Sequence, residues 1–123
     1  MSRQEQLQQV LERLSQSVPA IKGALLSSLD GMPIVHAVSD QSVDPARVAA
    51  MAATAVGVGR RIGETLKTGQ MKELSLLASE GRIFIYLTAD KGCLALVAGQ
   101  DCNVGLINLE ATDTIAALNN ILK

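Results

Sequence analysis

Residues 83–87, Ile83-Phe84-Ile85-Tyr86-Leu87, are apolar at every position. A strand solvated on one face alternates apolar and polar side chains, whereas a strand covered on both faces reads as a continuous apolar run. Glu80-Gly81 before the run and Asp90-Lys91-Gly92 after it are turn signals, so the segment reads as a short strand. A sheet containing such a strand needs helices on both of its faces.

Working outward, Met71 to Ala78, Arg82 to Thr88 and Cys93 to Ala98 form a predicted three-stranded meander. Nearer the N-terminus, Ile21 to Ser28 and Met32 to Val38 flank Asp30-Gly31, a dipeptide suited to the positive φ angles of a tight hairpin. Ser2 and Glu5 form a capping box, after which Leu7, Val10, Leu11, Leu14 and Val18 recur at helical spacing until Pro19. The polar residues of that helix, Gln4 and Gln8 among them, make an ordinary solvated face. Asp44-Pro45 opens a second helix, with Asp44 as cap and Pro45 in the first turn; it should run to about Lys67 and end at Gly69. A third, Val104 to Leu122, carries Ile107, Ala111, Ile115, Leu118 and Leu122 on one stripe. The expected fold is α/β (α+β), in the order α-β-β-α-β-β-β-α, with five antiparallel strands between helices. No linker, repeat or low-complexity tract divides it, so residues 1–123 are expected to form one domain.

Composition narrows the function. Eleven basic and twelve acidic side chains leave a net charge of -1, which supplies no field for nucleic acid or an anionic membrane. The chain has no signal-peptide pattern and no apolar run long enough for a membrane span, so a cytoplasmic location is expected. Cys93 and Cys102 have a spacing that permits a bridge, but without a secretory context they read as free thiols.

No cofactor, metal or catalytic residue is expected. The single histidine, His36, lies in a strand among Ile34, Val35 and Val38 without a ligand or relay partner. Gly57-Val58-Gly59-Arg60-Arg61-Ile62-Gly63 is one residue too long for the dinucleotide fingerprint and lies inside a helix instead of after a strand. Asp30 and Asp90 belong to turns, Asp44 to a cap and Glu73 to a strand, so no carboxylate pair is poised for acid–base work.

The second helix is the informative element. A helical wheel assigns Val48, Ala52, Ala55, Gly59, Ile62 and Leu66 to its core face. Ala46, Ala50, Ala53 and Gly57 fall together on the opposite face, flanked by Met51, Thr54 and Val58. Helix propensity alone can explain exposed alanine. Glycines 57, 59 and 63 each lower propensity by about 1 kcal/mol relative to alanine, so an interface for a closely approaching helix is the favoured reading.

Val18-Pro19-Ala20-Ile21-Lys22-Gly23-Ala24, the turn Ser28-Leu29-Asp30-Gly31-Met32-Pro33-Ile34, the alanine-rich helix and Asn103-x-Gly105-Leu106 give the chain a marked family likeness. It resembles the Roadblock family of dynein light chains and their prokaryotic relatives, over nearly its whole length. That resemblance implies a Roadblock/profilin-like α/β/α sandwich, homodimerisation through the second helix and third strand, and a scaffolding or regulatory role beside a small Ras-like GTPase. One branch, from bacterial gliding motility, activates GTP hydrolysis by its partner. The implied GTPase surface would draw on Arg47, Met51, Thr54, Val58, Arg60 and Arg61, the two last also reading as solvated residues or partners of Glu64. An adaptor subunit of a motor or other complex, or a small-ligand sensor, are the alternatives.

Overall fold

The computed structural model describes residues 1–40, 42–89 and 92–123. Asp90 and Lys91, assigned above to a turn, lie outside the described residues. The elements are α1 (Arg3–Ser17), β1 (Ile21–Ser28), β2 (Pro33–Val38), α2 (Pro45–Thr65), β3 (Glu73–Ala78), β4 (Gly81–Leu87), β5 (Gly92–Ala98) and α3 (Val104–Leu122).

Local chemistry sets the element boundaries. The hydroxyl of Ser2 accepts from the Glu5 amide at 3.1 Å while the Glu5 carboxylate accepts from the Ser2 amide, so the capping box is complete in both directions. Asp44 caps α2 by accepting from the Ala46 amide, with Pro45 in the first turn. Asn103 caps α3 by accepting from the Leu106 amide at 3.0 Å, which gives the Asn103-x-Gly105-Leu106 pattern its physical role. The Asp30-Gly31 hairpin forms with Gly31 at φ 89°.

All the strands pair antiparallel in the order β2-β1-β5-β4-β3. The meander β3-β4-β5 joins the β1-β2 hairpin through the β1–β5 pair, so β2 and β3 are the two edges. Alternation along the strands divides the core. Ala24, Leu26, Phe84, Tyr86, Leu94 and Leu96 face α1 and α3. Leu25, Ile85, Cys93 and Ala95 face α2. Phe84, Ile85 and Tyr86 are all buried, so the non-alternating run is covered on both faces as expected.

The α1 stripe is buried throughout, and α3 buries Ile107, Ala111, Thr114 and Leu118 with Ile115 and Leu122 half-covered. No helix among the described residues is long and apolar enough to cross a membrane. The core face of α2 differs from the wheel. Its buried residues are Ala49, Ala52 and Val56, whereas Ile62 is 52% exposed and Leu66 is 67% exposed. Small residues at 49 and 52 let the helix backbone approach the sheet closely, while Ile62 and Leu66, at its C-terminal end, stay outside.

Candidate partner-binding surface

The two sheet edges are treated differently. At β2, the side-chain amide of Gln4 donates to the Ile34 carbonyl at 2.6 Å and that of Gln8 donates to the His36 carbonyl at 2.8 Å. Part of the polar face of α1 therefore covers an edge that would otherwise template strand pairing. His36 itself is an exposed strand residue.

At β3, among the described residues, the edge is bare. The Leu87 amide donates to the Lys72 carbonyl at 3.1 Å, which fixes Lys72 and Leu87 as a hydrogen-bonded pair. Such pairs alternate along an antiparallel ladder. Leu74 and Leu76, opposite Ile85 and Ile83, therefore direct their peptide groups at β4, while Glu73, Ser75 and Leu77 direct theirs past the end of the sheet. The side chains are equally unprotected: Leu76 is 57% exposed on the α2 side and Leu77 is 68% exposed on the α1/α3 side.

Over this edge α2 leaves the sheet uncovered. The helix packs mainly on β1, β2 and β5, with Ile85 of β4 in the same core cluster. A groove of about 360 Å³ opens beside it, with Val48, Met51 and Ala55 on one wall and Leu74, Leu76 and Ile83 on the other. Along the helix, Met51, Ala55, Val58, Ile62 and Leu66 continue that wall as an apolar stripe at spacings of four, three, four and four, all but Ala55 exposed. Exposed apolar surface continuous between a helix and a sheet edge is the signature of an interaction site.

The residues expected at the interface separate into two flanks. Met51 and Val58 lie on the apolar stripe beside the groove, and Thr54, Arg47, Arg60 and Arg61 are exposed. Ala46, Ala50 and Gly57 are exposed and Ala53 is half-buried. The turn of the β1-β2 hairpin sits close to this small-residue flank: a β-carbon built on Gly31 would lie 3.3 Å from the Cα of Ala50. That approach to the helix backbone favours glycine at position 31. Two of the helical glycines also lie close to the chain's own groups. A β-carbon on Gly59 would meet the Met71 sulfur at 2.5 Å, and one on Gly63 would lie 3.3 Å from the Gly69 carbonyl. Gly57 has open space around it.

Sequence reasoning missed Ile62 and Leu66, which it placed in the core, and Leu76 and Leu77, which it did not single out. A signal was present in the Leu76-Leu77 pair. Neighbours in a strand face opposite sides, so two adjacent leucines at the outer end of a meander leave at least one needing cover.

Elsewhere polar groups are locally committed. The Tyr86 hydroxyl donates to the Asn108 side-chain oxygen at 2.6 Å, and burial, followed by the nearby Glu73 carboxylate and Cys102, pushes its pKa up to about 12. Cys93 is buried with its sulfur 3.4 Å from the Ser27 hydroxyl, and burial raises its pKa. Both cysteines are free thiols. Asp40 accepts from the Ser42 hydroxyl and amide, which lower its pKa. Among the described residues no three His, Cys, Asp or Glu side chains converge as metal ligands. A half-open apolar cavity of about 230 Å³ lies between the start of α2 and the sheet, lined by Leu25, Val38, Val43, Val48 and Val97.

An antiparallel five-stranded sheet with two helices on one face, one on the other and one bare edge defines an α/β/α sandwich of the Roadblock and profilin-like kind. The chain belongs to the Roadblock/LC7 domain family, whose model matches residues 7–98. Its structure is similar to that of Myxococcus xanthus MglB, with a TM-score of 0.91, 16% sequence identity and coverage of 99% of this chain and 91% of that chain. It is also similar to a Roadblock/LC7 domain from Streptomyces avermitilis, with a TM-score of 0.87, 22% identity and coverage of 94% and 96% of the two chains. Acanthamoeba castellanii profilin IB shares the fold more distantly, with a TM-score of 0.66, 15% identity and coverage of 93% and 97%. Comparison with curated protein sequences returns no match.

Proposed function

We propose that this chain is a single-domain, non-enzymatic regulatory scaffold that pairs with a second copy of itself and presents the paired α2 helices to a small Ras-like GTPase. The observation that carries the dimer is the continuity of the bare β3 edge with the apolar groove and the Met51–Leu66 stripe. A second copy offers the matching elements: its own β3 edge to extend the sheet and its own α2 stripe to close the groove.

The GTPase partner rests on the family resemblance and on the likeness to MglB. In this reading the α2 residues pointing away from the sheet, Arg47, Thr54 and Arg61 among them, meet the GTPase, while Met51, Val58 and Ile62 serve the dimer. The test is co-elution with the Ras-like GTPases of the source cell, loaded with GDP or with a non-hydrolysable GTP analogue. Binding that requires the GTP form and is lost on Arg61→Glu supports the assignment; no binding of either form overturns it and leaves an adaptor role.

A further inference from the structure

Arg82 lies on the α1/α3 side of β4, with its guanidinium carbon 5.6 Å from the centroid of the Phe84 ring. Its Nε is buried and has no hydrogen-bond partner among the described residues. On the same side of the sheet, four positions before Leu77, β3 carries Glu73, which is exposed. Within one chain the two charges are far apart, because Glu73 is opposite Tyr86 and Arg82 is opposite Leu77.

The β3 edge determines how a second copy brings them together. In a two-fold antiparallel pairing that keeps both α2 helices on one side, opposed residues must face the same way, so the axis passes through a residue of β3. With the axis at Ser75, Glu73 opposes the partner's Leu77, and every outward residue of both strands finds a hydrogen-bonding partner within β3. Moving the axis to Leu76 puts Glu73 opposite Ser79 in the β3–β4 turn; moving it to Leu74 puts Leu77 opposite Met71, before the strand begins. Both alternatives forfeit ladder bonds. The Ser75 register also sets Leu74 against the partner's Leu76, an apolar pair on the α2 side.

We propose that Glu73 of each copy forms an ion pair with the partner's Arg82 across the β3 seam, and that these two pairs select a second copy of this chain in the register with Ser75 on the two-fold axis. The inference rests on the dimer reading given above. In that register the two Cα atoms lie two strand spacings apart, roughly 10 Å, which the long side chains of arginine and glutamate can bridge. Leu77 lies between them and is 68% exposed in the single chain, so the Arg82 side chain, now over Phe84, has open surface across which to reach the partner's carboxylate. The pair thereby favours self-association over pairing with another bare strand that lacks a carboxylate at this position.

Two measurements separate the register, the ion pair and the dimer. In the full chain carrying Cys102→Ser, with Cys93 left buried, Ser75→Cys should cross-link under mild oxidation, since Cα atoms of a hydrogen-bonded antiparallel pair lie about 5.5 Å apart, within disulfide range. Cross-linking instead through Leu74→Cys or Leu76→Cys, or a dimer that none of the three cross-links, overturns the register while leaving the dimer standing. In sedimentation at low salt, Glu73→Arg and Arg82→Glu should each weaken self-association roughly tenfold, and the double variant should recover to within about threefold of the parent. The difference should vanish near 1 M salt, where charges are screened within about 3 Å. Arg82→Gln and Glu73→Gln guard against misfolding of the reversals and should each weaken association by less. Single and double variants that associate as tightly as the parent remove the ion pair. A parent chain that is itself monomeric removes the dimer reading on which the pair depends.

Discussion

The side-chain amide of Gln8 donates a 2.8 Å hydrogen bond to the main-chain oxygen of His36, across from the opposite edge of the sheet where β3 has no such cover. An edge strand with unpaired peptide groups is a template for another chain. With one edge covered and the other bare, strand-to-strand association of the kind proposed would be directed to a single side of the molecule.

Replacing both Gln4 and Gln8 by alanine should therefore do more than lower stability. Loss of the two side-chain bonds should cost about 1–2 kcal/mol in a urea titration. The uncovered β2 edge should also add a slow, concentration-dependent rise in scattered light that neither the parent nor a β3 variant shows.

Charged replacements at the groove should separate association from folding. Leu76→Asp and Ile62→Asp fall on side chains that are more than half exposed in the single chain, so the circular dichroism spectrum should be retained. Buried in a dimer interface, an unpaired carboxylate costs several kcal/mol, and the dissociation constant should rise at least about a hundredfold. Loss of the spectrum in both variants would mean that these residues support the fold itself.

Gly31 should be intolerant of alanine for two reasons at one position. Its φ of 89° strains a residue with a β-carbon, and that carbon would press on the backbone of Ala50. A loss of at least about 1 kcal/mol in unfolding free energy is expected. Gly57→Ala, with open space around it in the chain, should leave the unfolding free energy equal or slightly higher.

Alkaline pH should weaken the fold through Tyr86. Its folded pKa of about 12 lies above the ordinary 10.0, so above pH 10 the unfolded chain releases a proton that the folded chain keeps. The stabilisation is fully present below pH 10 and is lost as pH rises toward 12. Cys93, also raised by burial, adds a loss of the same sign that begins at lower pH. Tyr86→Phe should be less stable near pH 7 through loss of the Asn108 hydrogen bond and should show a shallower decline between pH 10 and 12.

Much of the fold was legible because its signals are local. The Ser2–Glu5 box, the Asp30-Gly31 turn, the Asp44-Pro45 start and the Asn103 cap each depend on residues within a few positions of one another, and the unalternating Ile83–Leu87 run carries its two-sided burial in its own composition. The surface was harder to read because it depends on distant pairings. Ile62 and Leu66 look like core residues on a helical wheel; only the placement of α2, which packs mainly on β1, β2 and β5, leaves them exposed. Gly59 and Gly63 suggested an interface because glycine in a helix needs a packing reason, and in the fold each also lies close to the chain's own return, Gly59 to the flexible Met71 side chain and Gly63 to the Gly69 carbonyl, a closeness that no helical wheel displays. Nor could the polar face of α1 reveal that Gln4 and Gln8 reach the β2 edge, since that contact spans the first hairpin.

The mass of the chain in solution tests the central claim most directly. Light scattering on an eluting peak at micromolar concentration should give twice the chain mass of 12.9 kDa for the parent and the single-chain mass for Leu76→Asp. A parent that elutes at 12.9 kDa across that concentration range would contradict the claim.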